Sequence, residues 1–377
     1  MTTKELFSLL MFSTFLSTSY AQDYTSETIQ HDGLTRVYNI YVPESYDGTT
    51  SFPLLFNFHG GNDMVANWQP TSDMSPLAES DNFILVYPQA RPDPSDGNSL
   101  NWLPKTAGTF DDVPFVSAII DKVASDYQID QSRIYACGYS LGGEFSYELA
   151  CKLNNRIAAI GVVARTMQSD PNSYCVPNHP TGVLTILGTD DFVSPYEGII
   201  FGGIEYYISA AETHSYWATQ NNCNPTAIMT NASPSVERYT WSTAAGCAYV
   251  EELKVIGGGH DWPGIFGNTT IDASTEIWQF VSRYDINGLI GCTATSINEN
   301  NSSQDNYKVY PNPLNSQLTI EFEIAKEKEF RIFSTVGKLV SSGSLNSNVN
   351  TIDISSLPPN VYVLNIDDHS VKLIKTE

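Results

Sequence analysis

The chain has 377 residues, enough for two domains with sizeable cores, and carries 19 Lys and Arg against 42 Asp and Glu, a formal charge of −23. That charge repels DNA, RNA and anionic membrane surfaces, so nucleic-acid binding is excluded as a function class. Only 16% of residues are charged while tyrosine, asparagine, serine and threonine abound, the makeup of an exported protein rather than a cytosolic one.

At the N-terminus, Lys4 precedes the apolar run Leu6 to Phe12, and Ser19-Tyr20-Ala21 offers a cleavage site before Gln22. Residues 1–21 read as a signal peptide and send the chain to the periplasm and beyond. The apolar run is too short to cross a bilayer, and no later run approaches the roughly 18 to 20 apolar residues that crossing needs. No membrane span is expected. Six cysteines in an exported chain predict disulfides, although six allow about fifteen full pairings. The pairs expected are Cys151 with Cys175 and Cys223 with Cys247, each closing a loop of about 25 residues. Cys137, inside a strand, is expected as a buried thiol, and Cys292 is left unassigned. No C-x-x-C spacing or paired histidines accompany the cysteines, so no metal is expected.

From about Thr25 to Gly291, strand-like runs alternate with helical ones. The strand candidates are Pro53 to Gly61, Asn82 to Ala90, Arg133 to Ser140, Ile157 to Ala164, Gly182 to Gly188 and Tyr249 to Gly259. Several are apolar throughout, as strands buried on both faces of a parallel sheet must be. Between them, Asp111 to Tyr127 places Phe115, Ile119, Val123 and Tyr127 four apart, with Asp111 as N-cap. Further helices are expected after Ser140, around His214 and over Asp272 to Asp285. The alternation predicts a doubly wound, mostly parallel α/β domain over residues 22–292. Residues 293–306 are polar and linker-like. In residues 307–377, short alternating strands separated by Asn, Pro, Gly and Ser turns predict a small all-β sandwich.

Gly138-Tyr139-Ser140-Leu141-Gly142 fits G-x-S-x-G, whose logic requires a strand before the serine, a helix after it, and glycines where side chains would collide. Serine is a poor nucleophile at neutral pH, so it needs a base, an acid that orients the base, and donors for the oxyanion. Of six histidines, His260 follows a predicted strand and the run Gly257-Gly258-Gly259 and precedes the domain's last helix, which makes it the candidate base. His179, in a Pro-flanked turn, reads as a surface residue. The acid falls between serine and histidine, where Asp190 and Asp191 both stand directly after a buried strand. For the oxyanion, the backbone N–H of Leu141 and that of Gly61, in the loop His59 to Asn62, are the candidate donors, with His59 shaping the loop. Trp68, Trp102, Tyr196 and Trp262 lie near these motifs and are candidates for stacking on a substrate ring.

"FNFHGGNDMVANWQ", the segment Asp111 to Cys151, "GTDDFVSPYEG" and "GGGHDWPG" together resemble the polyhydroxybutyrate-depolymerase-like and feruloyl-esterase-like secreted hydrolases of the carbohydrate esterase family 1 type. The resemblance covers essentially the whole first domain and implies an α/β-hydrolase fold. It further implies Ser140 as nucleophile, Asp191 as acid, His260 as base, and Gly60-Gly61 with Leu141 around the oxyanion, with no cofactor. Leu187 stands where the family usually has histidine, and Leu141 where asparagine is common. The implied reaction is hydrolysis of feruloyl or acetyl esters of plant polysaccharide. Its alternatives are a polyhydroxybutyrate depolymerase, a serine peptidase or a non-catalytic surface binding module. "VYPNP", "STVGKLV", "IDISSLPPNVYVL" and the terminal "KLIK" resemble the C-terminal sorting domain of the type IX secretion pathway, which implies that pathway's machinery as a partner and a secreted or outer-surface location. Asn360 replaces that domain's usual glycine, at a position where asparagine tolerates a left-handed turn.

Overall fold

The computed structural model describes residues 24–94, 97–102, 111–244, 249–292, 307–322, 328–334, 338–366 and 369–376. The expected signal peptide and linker lie outside these residues. Two compact units emerge, one up to Cys292 and one from Thr293 onward.

The strands of three or more residues in the first unit are β1 (Thr25–His31), β2 (Leu34–Tyr41), β3 (Phe52–Phe58), β4 (Ile84–Pro88), β5 (Ile129–Tyr139), β6 (Ala159–Val163), β7 (Gly182–Gly188), a short hairpin of β8 (Ile199–Phe201) and β9 (Ile204–Tyr207), β10 (Ile228–Ser233), β11 (Val236–Ser242) and β12 (Tyr249–Val255). Its helices are α1 (Val65–Thr71), α2 (Ser75–Asp81), α3 (Val113–Asp126), α4 (Leu141–Lys152), α5 (Ala210–Gln220) and α6 (Ala273–Val281). Ten strands form one sheet in the order β1-β2-β4-β3-β5-β6-β7-β12-β11-β10. The central six are mutually parallel, and the two at each edge run antiparallel. This is the α/β-hydrolase arrangement. The six parallel strands are those the sequence predicts, because β3, β4, β6 and β7 are buried at every position.

Alternate residues feed two cores. Leu54, Phe56, Ile134, Ile160 and Val183 face α3, α4 and α5 through Ile119, Phe145 and Trp217. Leu55, Leu85, Tyr135, Ala159 and Leu184 face α1, α2 and α6 through Trp68, Ala78 and Ile277. Burying roughly 0.8 kcal/mol per methylene on both faces makes the sheet the rigid base on which strand-end loops are held.

Two local expectations change. Helix α3 begins one residue later than expected: its N-cap is Asp112, whose buried carboxylate caps no N–H and instead pairs with Arg36 at 2.8 Å. Asp111 accepts the Val113 N–H at 2.9 Å. Asn360 adopts no left-handed backbone; it opens a strand, and its Oδ1 accepts the Val361 N–H.

Cys151 and Cys175 form a disulfide with Cα atoms 4.8 Å apart. Cys137 is a buried thiol whose pKa burial pushes up. Cys247 lies outside the described residues. Cys292, unassigned from the sequence, is disulfide-bonded, whereas Cys223 is a half-buried thiol, so the expected bridge from Cys223 is not present.

The second unit packs a three-stranded sheet of β13 (Tyr307–Tyr310), β14 (Gln317–Phe322) and β17 (Val349–Asp353) with a four-stranded one of β15 (Lys328–Ser334), β16 (Leu339–Leu345), β18 (Asn360–Ile366) and β19 (His369–Lys375). Leu318, Ile320, Ile332, Leu364 and Leu373 fill one shared core, supplied by alternate residues of each strand.

Candidate active site

Ser140 sits between β5 and α4 at φ +53° and ψ −119°, a backbone state that costs a non-glycine residue about 1–3 kcal/mol. Its N–H donates to the Val163 carbonyl at 2.9 Å, and its own carbonyl accepts the Glu144 N–H at 3.0 Å, so the sheet and the helix together hold the turn. The flanking glycines are sterically required. A Cβ on Gly138 would lie 2.4 Å from the Gly142 carbonyl, and one on Gly142 would lie 2.2 Å from the Phe58 carbonyl oxygen.

Strands β7 and β12 are neighbours, and the loops leaving them are pressed together. A Cβ on Gly188 would lie 2.3 Å from the Gly258 carbonyl oxygen. The Thr189 N–H donates to the Val255 carbonyl, the Asp190 N–H to that of Gly258, and the Gly257 N–H to the Thr189 hydroxyl. Asp191 is 4% exposed, and its Oδ2 lies 2.7 Å from Nδ1 of His260. Its other oxygen accepts the N–H groups of Val193 and Ser194, both at 2.8 Å. Asp190 points to solvent and accepts only the Thr189 hydroxyl among the described residues. Of the two aspartates that the residues alone left open, the one meeting the imidazole is Asp191, the residue that the family resemblance points to. The Tyr139 ring lies 4.9 Å from that of His260, and its hydroxyl donates to the His260 carbonyl at 2.7 Å, so the residue beside Ser140 also fixes the histidine loop.

Gly61 adjoins Leu141 so closely that a Cβ there would be 2.8 Å from Leu141 Cδ1. Among the described residues, no acceptor is found for the N–H of Gly61 or of Leu141. Buried His59 braces this loop: its Nδ1–H donates to the Gly60 carbonyl at 2.7 Å, and its Nε2 accepts from the Ala90 N–H and the Gln89 amide, both at 3.1 Å. Burial lowers the His59 pKa to about 4, so the ring is neutral and structural, as expected.

The aromatic candidates fare differently from the expectation. Trp68, Trp102 and Trp262 are all buried, and each indole N–H is engaged: Trp68 with Asn57, Trp102 with the His59 carbonyl, Trp262 with Ser274. Trp68 stacks on Tyr139 at 5.3 Å and meets Trp262 edge-on, so these rings brace the strand that leads into Ser140 and present no open face to a substrate. Tyr196 is half-buried, with its hydroxyl donating to Glu252 at 2.6 Å and its ring covered by Lys254. Sequence reasoning missed a buried cluster at the first turn of α4, where Glu144 accepts from Arg165 at 2.8 and 2.9 Å and from Gln168 at 2.6 Å. A glutamate four residues after Ser140 was the one available signal.

Residues 308–376 match the family described as secretion system C-terminal sorting domain, as expected, and the chain is accordingly exported, secreted or held at the cell surface. It is 28% identical over 267 residues to the bifunctional acetylxylan esterase/xylanase XynS20E of Neocallimastix patriciarum, covering 70% of this chain and 36% of that one. It is 27% identical over 254 residues to feruloyl esterase B of Piromyces equi, covering 66% of this chain and 45% of that one. The chain thus spans less than half the length of these two relatives. Feruloyl esterase C of Emericella nidulans is 30% identical over 253 residues, 65% of this chain and 83% of the fungal protein. With that identity running through most of a relative's length, the chain belongs to the feruloyl esterase family.

Proposed function

We propose that the protein is an exported serine carboxylic-ester hydrolase acting on feruloyl or acetyl esters of plant polysaccharide. The reading rests above all on the Asp191–His260 hydrogen bond of 2.7 Å, formed at the ends of β7 and β12, the second and third strands over from the one whose strained turn carries Ser140. His260 holds its proton on Nδ1 against Asp191, which leaves Nε2 free to take the Ser140 hydroxyl proton as the oxygen attacks the ester carbonyl. The N–H groups of Gly61 and Leu141 receive the developing oxyanion, one such donor being worth about 3–4 kcal/mol in the transition state. The imidazolium then protonates the leaving alcohol, and His260 activates water to release the acid from Ser140. The relatives named as feruloyl and acetylxylan esterases support the choice of substrate class.

The test is a hydrolysis panel of methyl ferulate, acetylated xylan, p-nitrophenyl acetate, hydroxybutyrate oligomers and a peptide amide, run with the parent and with Ser140→Ala. Turnover of ferulate or acetylated xylan, abolished by Ser140→Ala, is expected. Turnover confined to hydroxybutyrate oligomers or to the peptide, or turnover that survives Ser140→Ala, would overturn the reading.

A further inference from the structure

The Asp191 loop is held at its start by backbone hydrogen bonds to the end of β12, as described. Five residues further on, the same loop returns to the same strand. The Tyr196 hydroxyl donates to Oε1 of Glu252 at 2.6 Å, in the middle of β12, while the Tyr196 carbonyl accepts the Ala210 N–H at 2.9 Å. Glu252 is 3% exposed and lies beside Thr185 of β7 in the parallel register. Its second oxygen is 3.6 Å from Nδ1 of buried His214, whose Nε2 pairs with the Thr185 hydroxyl at 2.8 Å. Lys254, two residues along β12, covers the Tyr196 ring at 4.8 Å. Five residues beyond Val255, the chain of β12 delivers His260.

We propose that Tyr196 and Glu252 are positioning residues for the triad: their hydrogen bond clamps the loop carrying the acid onto the strand that carries the base. A single strand then sets the separation of Asp191 and His260, because both ends of the acid loop are referred to β12 and the base leaves the same strand through the Gly257–Gly259 turn. A buried carboxylate accepting a hydroxyl proton is a strong, directional contact, whereas the turn from Asp191 to Ser194 is held by the Asp191 side chain itself. With the clamp gone, the stretch from Asp191 to Ser194 would be ordered chiefly by the carboxylate that must face the imidazole, with the loop's far end held by the Tyr196 carbonyl's bond to the Ala210 N–H. The proposal rests on the esterase reading above.

Tyr196→Phe removes one oxygen and no other contact. It is expected to lower kcat on methyl ferulate or p-nitrophenyl acetate about tenfold with KM unchanged, and to broaden the low-field proton resonance of the His260 Nδ1–H in an NMR spectrum. Glu252→Met, which removes the acceptor at similar volume, should do the same, and Glu252→Gln, which keeps an acceptor for Tyr196, should recover most of the kcat that Glu252→Met loses. This pair carries the comparison if Tyr196→Phe does not fold. A folded Tyr196→Phe with kcat within twofold of the parent and an unaltered resonance would overturn the clamp, as would a loss residing in KM alone. If the parent hydrolyses no ester yet shows the low-field proton, and that signal is lost in Tyr196→Phe, the esterase reading fails while the clamp stands.

Discussion

Asp191 Oδ2 and His260 Nδ1 meet at 2.7 Å across the ends of two neighbouring parallel strands, with the carboxylate buried and its remaining oxygen satisfied by two backbone N–H groups. Asp190, one residue earlier, shares none of these contacts.

Asp191→Asn is therefore expected to preserve the fold and to lower kcat on the order of ten-thousand-fold, because an amide facing Nδ1 favours the wrong imidazole tautomer. Asp190→Asn should cost far less. Steady-state kinetics on p-nitrophenyl acetate, with melting curves for both variants, decide between them; the reverse order of losses would make Asp190 the acid.

Gly142, which closes the G-x-S-x-G turn, should be the less replaceable of the two glycines in α4. A methyl group on Gly142 meets the Phe58 carbonyl oxygen at 2.2 Å, backbone that cannot yield, whereas one on Gly143 first meets the Val162 side chain at 2.9 Å. Gly142→Ala should lose about 1–3 kcal/mol of stability and most activity, and Gly143→Ala less of both. Urea unfolding alongside turnover measures the difference, and equal losses would contradict it.

Glu144 and Arg165 are both buried, so removing one leaves the other's charge uncompensated. Arg165→Met is expected to cost about 3–5 kcal/mol, and the double variant Arg165→Met with Glu144→Gln should be more stable than Arg165→Met alone. Denaturant midpoints across the four proteins of that cycle provide the check.

The Glu252 carboxyl is raised from 4.5 to about 7, chiefly by burial. A raised carboxyl pKa means that the folded state holds the proton more tightly than the unfolded one. The associated stability is complete below the unfolded pKa near 4.5 and is lost as pH rises through about 7, by about 3 kcal/mol in total. Glu252→Gln does not titrate. Its Tm relative to the parent should thus rise between pH 5 and pH 8, and a pH-independent difference would show that Glu252 does not titrate in this window.

Four of the six central strands were readable because burial on both faces demands near-continuous apolar runs such as "PLLFNF" and "GVLTILG". The hairpins at the two edges, β1 with β2 and β10 with β11, were not, since a strand with a solvated face needs no such run: β10 is "IMTNAS", exposed along nearly its whole length. The serine turn was legible for a steric reason, its glycines occupying places where only hydrogen fits. The tryptophans misled because proximity to a motif says nothing about whether a ring faces solvent or the core.

By itself, the sequence determined what depends on neighbours along the chain: the alternation of buried strand and helix, the strained turn at Ser140, the loop position of His260, and the all-β character of residues 307 to 377. Tertiary structure decided what depends on residues far apart meeting: Asp191 at the imidazole, which the residues alone left open with Asp190 and only the family resemblance implied, Glu144 with Arg165 at the first turn of α4, and Tyr196 with Glu252. The reason is physical. A side chain's backbone preference is set within a few residues, whereas its burial, and hence whether a charge needs a partner and which one it finds, is set by the strands that pack beside it.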